Sequence, residues 1–151
     1  MTRVFHTATE EDTIALGRQL ARELPQKAVV LLIGNLGAGK TTLAKGIVQG
    51  LGAAAPEEVS SPTFTLIHEF ADRVYHVDLY RLEGSRDLYS IGLDDFLGKE
   101  GVTIVEWSER LSLPFPLAAE IEIVDAGDDL RTLHIRLPEK DGKKRSGRRS
   151  N

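Results

Sequence analysis

Gly34, Asn35, Leu36, Gly37, Ala38, Gly39, Lys40 and Thr41 stand in the spacing G-x-x-x-x-G-K-[ST], in which a short loop can wrap a polyphosphate. The chemistry accounts for the residue types. Glycines let the backbone come close and take positive φ, so that successive N–H groups converge on an anion. Lys40 is then placed to reach the β and γ phosphates, and the Thr41 hydroxyl to ligate Mg²⁺. A helix starting near Gly39 adds the positive end of its dipole.

Two acids stand where phosphoryl chemistry would use them. Asp78 closes the apolar-rich run at residues 74–77, and Glu106 closes the run at residues 102–105. If both runs are parallel strands, their C-termini converge on the nucleotide side of the sheet. An acid there can hold Mg²⁺ through water or orient an attacking water, and either acid can fill either role. Each also has a plain structural use, capping a helix or opening a loop. Thr63, in Ser60-Ser61-Pro62-Thr63-Phe64-Thr65, can meet a γ-phosphate or its metal, but the same residues make an ordinary turn. His6, His68, His76 and His134 have no metal-ligand spacing. His68 and His76 would face each other across a hairpin, where cross-strand packing explains them. Trp107, next to Glu106, reads as core or as an interface anchor.

These residues need a frame, and the pattern supplies one. Residues 28–33 are a continuous apolar run, too short for a helix, and predict a central parallel strand covered on both faces. Leu43, Ala44, Ile47, Val48 and Leu51 follow helical spacing, with Gly50 or Gly52 available to end the helix. An earlier strand at residues 3–6 leads to a helix reaching Leu24, with Thr7 and Thr9 as N-cap candidates and Glu10 completing a capping box with Thr7. Residues 64–70 and 74–79 form a hairpin about Ala71-Asp72-Arg73, and residues 120–125 and 130–137 form another about Ala126-Gly127-Asp128-Asp129. One or two short helices are expected over 84–98. The result is an α/β domain of three layers, residues 1–138, with a mixed sheet. Residues 139–151, basic and without apolar side chains, predict a disordered tail.

Several functions are excluded or disfavoured. The 151 residues contain no cysteine, which removes thiol nucleophiles, disulfides and Cys-based metal sites. No apolar run approaches the roughly 20 residues of a membrane helix, and the N-terminus has no signal pattern, so a cytoplasmic protein is expected. An Asn/Thr-Lys-x-Asp guanine reader is absent, and Asp95-Phe96-Leu97-Gly98 matches Asp-x-x-Gly without a leading strand. The arginines between the loop helix and Leu137 (Arg73, Arg81, Arg86, Arg110, Arg131, Arg136) are scattered, so no arginine-rich lid of a small-molecule kinase is visible. Charge is split: residues 1–139 carry −9 and residues 140–151 carry +5. An acidic body argues against a surface whose main task is to grip nucleic acid.

Taken together, G-N-L-G-A-G-K-T-T, S-S-P-T-F-T-L, H-V-D-L-Y-R-L and V-E-W, in this order, resemble the TsaE family of small bacterial ATPases. The resemblance covers about residues 3–137 and implies a P-loop NTPase-like fold without a lid. It implies ATP and Mg²⁺ as ligands and a role in making N6-threonylcarbamoyladenosine, beside the anticodon of tRNA. In that pathway TsaC makes threonylcarbamoyl-adenylate, and a TsaD–TsaB heterodimer that TsaE binds transfers the group, so tRNA is met only indirectly. By the same resemblance Lys40, Thr41 and Thr42 serve the phosphates and Thr63 senses them. Asp78 and Glu106 serve metal binding and hydrolysis, and Thr9 or Glu10 lies at the adenine. The alternatives are a small-molecule kinase and an adaptor that binds nucleotide without hydrolysing it. No motif covers the basic tail.

Overall fold

The computed structural model describes residues 2–35, 37–59, 67–78, 101–107 and 118–137. Along the chain these form β1 (Thr2–Thr7), α1 (Glu10–Ala21), β2 (Lys27–Ile33), α2 (Lys40–Gly50), a 3₁₀ turn (Pro56–Glu58), β3 (Ile67–Phe70), β4 (Val74–Asp78), β5 (Gly101–Trp107), β6 (Ala119–Asp125) and β7 (Arg131–Arg136). The strands make one sheet in the order β1-β7-β6-β2-β5-β4-β3.

The apolar run at residues 28–33 falls in β2, at the middle of this sheet. β2 pairs in parallel with β5 on one side and β6 on the other, and β4 continues the parallel set beyond β5. The outer pairs β3–β4, β6–β7 and β1–β7 are antiparallel. Leu16 and Leu20 of α1 and Leu43, Ile47 and Val48 of α2 share one core cluster with Val30, Leu32, Ile104 and Ile121 of the sheet. Val29, Leu31, Ile33, Val77 and Val105, of opposite parity, are buried as well. Both faces of the central strands are therefore covered, which explains why β2 carries no alternation of polar and apolar residues. The helices expected over 84–98 and the tail over 139–151 lie outside the described residues.

Parallel pairing has one consequence for function. β2, β4, β5 and β6 all end at the same edge, which gathers the loop after Ile33, Asp78, Glu106 and Asp125. Thr7 at the end of β1 pairs with Arg131 at the start of β7, so the entry to α1 reaches that edge too.

Local chemistry adjusts the predicted boundaries. α1 is capped by Thr9, whose hydroxyl accepts the Asp12 N–H at 3.0 Å, while the Asp12 carboxylate accepts the Ala8 N–H at 3.2 Å. Of the two candidates the chain therefore uses Thr9 as the cap, and the box expected of Thr7 and Glu10 is not the one that starts the helix. Thr7 is taken by the strand, and its hydroxyl bonds that of Thr13 at 2.8 Å. The helix ends at Ala21 rather than Leu24, because Arg22, Glu23 and Leu24 turn to three-residue bonds onto Gln19, Leu20 and Ala21. Of the two candidate stops for α2 the chain uses Gly52, at φ +72°; its N–H donates to Gln49 O, and that of Ala53 to Val48 O.

Candidate nucleotide-binding site

The loop between β2 and α2 is shaped by its glycines for different reasons. At Gly34 a Cβ would lie 2.8 Å from Ile123 O and 3.2 Å from the Ala38 Cβ, so only glycine lets the loop leave β2 while pressed against β6. Gly37 and Gly39 take φ of +85° and +112°, a region side chains strain to enter. Gly39 is the N-cap of α2 and has no side chain to satisfy the first N–H groups of the helix. Those donors face an edge where a phosphate would meet them, with the helix dipole adding to the attraction.

Lys40 opens α2 and is 6% exposed. Its ammonium donates to Gly34 O and, at 3.2 Å, to Asn35 O, so it lies across the mouth of the loop. A buried ammonium held by loop carbonyls is well placed to exchange them for phosphate oxygens.

Thr41 and Glu106 meet across the sheet edge. The Thr41 hydroxyl stands 3.2 Å from both Glu106 carboxylate oxygens and donates to them. Glu106 is 3% exposed, and its Oε2 is bonded also by Nε2 of His76, which is fully buried. Asp78 is the Cα partner of Glu106 in the parallel β4–β5 ladder. The Thr41 hydroxyl and the Glu106 carboxylate are hard oxygen donors of the kind that suits Mg²⁺ completed by phosphate oxygens and water. Among the described residues no group of three or more His, Cys, Asp or Glu is arranged to hold a metal unaided.

The flanks of the loop are set by β6 and β7. A cleft of about 410 Å³ has Gly34, Asn35 and Ala38 on one wall and Glu122 and Asp125 on the other. Its acids would repel phosphate, whereas the start of α2 and Lys40 would attract it. Arg131 comes within 3.5 Å of where a Gly39 Cβ would stand. Its Nη1 bonds Asp125 and the carbonyls of Asp128 and Leu130. Thr9 and Glu10 sit at this end of the molecule with exposed side chains, and the Thr9 hydroxyl is used in capping α1.

Residues 7–143 match the family described as "Threonylcarbamoyl adenosine biosynthesis protein TsaE". The chain belongs to the TsaE family. It is similar to the tRNA threonylcarbamoyladenosine biosynthesis protein TsaE of Bacillus subtilis, at 39% identity over 85% of this chain and 82% of that protein. It is similar also to the TsaE proteins of a Nostoc species (44%, covering 74% and 70%) and of Aquifex aeolicus (40%, covering 78% and 84%). Among solved structures it resembles Bacillus subtilis YdiB, with a TM-score of 0.69 at 34% identity, covering 89% of this chain and 84% of that one.

Against the TsaE resemblance, Thr41 and Glu106 are brought into contact, Lys40 lies on the loop carbonyls at the start of the same helix, and Asp78 is the register partner of Glu106. Gly34, Asn35, Gly37, Ala38, Gly39 and Thr42 lie in the loop or the first turn of α2. Leu36 and Thr63 lie outside the described residues. His76 is the residue that sequence reading missed. It does pair with His68 across the hairpin, yet its ring serves Glu106. The available signal was parity: His76 and Asp78 share one face of a strand, but only the adjacency of β4 and β5 shows which acid that face meets.

Proposed function

We propose that this chain binds Mg²⁺·ATP at the Gly34–Thr41 loop and hydrolyses it in support of threonylcarbamoyl modification of tRNA. It would act in the cytoplasm through a TsaD–TsaB heterodimer, with tRNA met indirectly. The observation that carries this reading is the Thr41–Glu106 contact, which joins the phosphate loop to an acid 65 residues away. A merely solvated glycine turn would have no reason to bury that acid.

The chain's residues divide the work. The N–H groups of the loop and the start of α2 hold the β and γ phosphates, and the Lys40 ammonium leaves the Gly34 and Asn35 carbonyls to join them. Thr41, Asp78 and Glu106 would hold Mg²⁺, which supplies positive charge to the β and γ oxygens as the bond breaks. Glu106 or Asp78 orients the attacking water. Arg131 beside the loop is turned to Asp125 and the β6–β7 turn; with the arginines scattered singly along the sequence, a partner would complete the charge stabilisation, and hydrolysis by the chain alone would be slow. The −9 charge of residues 1–139 supports docking on proteins rather than on tRNA.

The test is Glu106→Gln, assayed for ATP binding and for modified adenosine in a reconstituted system. ATP still binds, while hydrolysis falls roughly 100-fold or more and modification is lost. Undiminished modification would instead support the adaptor, and labelled phosphate appearing on an acceptor other than water would support the kinase.

A further inference from the structure

We infer that His76 is a positioning residue that fixes the Glu106 carboxylate for the hydrolytic step. The inference rests on the ATPase reading above and adds a residue to it. His76 is fully buried, and its Nε2 bonds Glu106 Oε2. In the β4–β5 ladder its Cα partner is Ile104, two residues before Glu106 on the same face, so the imidazole reaches forward along the sheet to the acid. A carboxylate can only accept in such a bond, which puts the ring proton on Nε2. Nδ1 is buried and meets no hydrogen-bond partner among the described residues. An aliphatic side chain would fill this apolar position without leaving a polar atom unsatisfied, so packing alone does not account for a histidine.

Glu106 has two described anchors, Thr41 and His76, and they differ in kind. Thr41 begins the loop helix, and the nucleotide reading asks its hydroxyl oxygen to turn toward Mg²⁺. His76 sits within a strand paired on both sides, and its described hydrogen bond is to Glu106 itself. When Thr41 is redirected, His76 keeps the carboxylate aimed at the loop. Histidines and acids that orient a metal or catalytic carboxylate in this way change activity by roughly 10–100-fold when removed.

The experiment uses the full chain with Mg²⁺·ATP and the TsaD–TsaB heterodimer, and compares His76→Leu, which keeps bulk, with His76→Gln, whose amide can donate from the place of Nε2. His76→Leu should lower kcat for phosphate release roughly 10–100-fold with ATP affinity changed less than about threefold, and His76→Gln should recover part of the loss. In a Glu106→Gln background His76→Leu should cost nothing further. Equal losses in both backgrounds, or His76→Gln as poor as His76→Leu at the same thermal midpoint, would overturn the inference. Long-range ¹⁵N NMR of the imidazoles provides a readout that needs no activity. His76 should appear as the Nε2–H form, and its Nε2 signal should move in Glu106→Gln; an unmoved signal would also overturn it. If the wild type releases no phosphate, the ATPase reading fails, and the NMR comparison still decides whether His76 holds Glu106.

Discussion

Gly46→Ala is expected to destabilise the protein, although alanine is the better helix former. Gly46 lies in the middle of α2, facing α1. A Cβ built there would stand 2.0 Å from the backbone oxygen of Ile14, 2.8 Å from its carbonyl carbon and 3.0 Å from the Cα of Gly17. Ordinary van der Waals contact begins at 3.4 Å, and the obstacle is backbone, which cannot rotate aside. The helices must therefore part by more than an ångström, opening the seam where Leu16 and Leu20 meet Leu43 and Ile47. Overpacking of this kind costs about 1–3 kcal/mol, here at the upper end, and the gain in helix propensity returns about 1. The net loss is about 2 kcal/mol, which for a domain of this size lowers the thermal midpoint by roughly 4–8 °C. Calorimetry or circular dichroism would measure it. Because α2 presents Lys40 and Thr41, ATP affinity should fall as well. An unchanged or raised midpoint would refute the close approach of α1 and α2, and with it the frame that holds the loop.

Lys40→Ala removes a charged donor from the phosphates and should weaken ATP binding roughly 10–100-fold in an equilibrium titration. Undiminished affinity would remove Lys40 from the site. Ala71→Gly should stabilise the protein by about 1 kcal/mol, since Ala71 takes a φ of +53° beside Asp72 at +56° and left-handed backbone costs a residue with a Cβ about 1–2 kcal/mol. Its thermal midpoint should rise by roughly 2–4 °C, and a fall would contradict the β3–β4 turn. Thr41→Ala should reduce the Mg²⁺-dependent part of ATP affinity, with Thr41→Ser restoring it; a Mg²⁺ dependence left unchanged in Thr41→Ala would show that the hydroxyl is not at the metal.

Much of the frame was legible because its signals are local. The apolar run of β2, the glycine-rich loop and the helical spacing from Leu43 to Leu51 each specify one element within a dozen residues. What a short window does not carry is adjacency. The order β6-β2-β5-β4 puts Glu106 on the Thr41 hydroxyl and His76 on Glu106, and both contacts span 30 or more residues. Read singly, His76 looked like hairpin packing and Arg131 like one of several scattered arginines. The choice of Thr9 over Thr7 as the α1 cap has the same origin, because pairing of Thr7 with Arg131 extends the strand past the first of the two candidates. Gly17, Gly46 and Gly50 were legible as small residues, but their use as the contact between two helices depends on the partner helix.

The central claim is that the site formed by Lys40, Thr41, Asp78 and Glu106 hydrolyses ATP, with a partner completing it. Its most direct test is phosphate release from Mg²⁺·ATP by the purified chain, alone and with the TsaD–TsaB heterodimer. Release should be slow alone, faster by at least about tenfold with the heterodimer, and lost in Glu106→Gln. Equal rates with and without the heterodimer, or full release from Glu106→Gln, would contradict it.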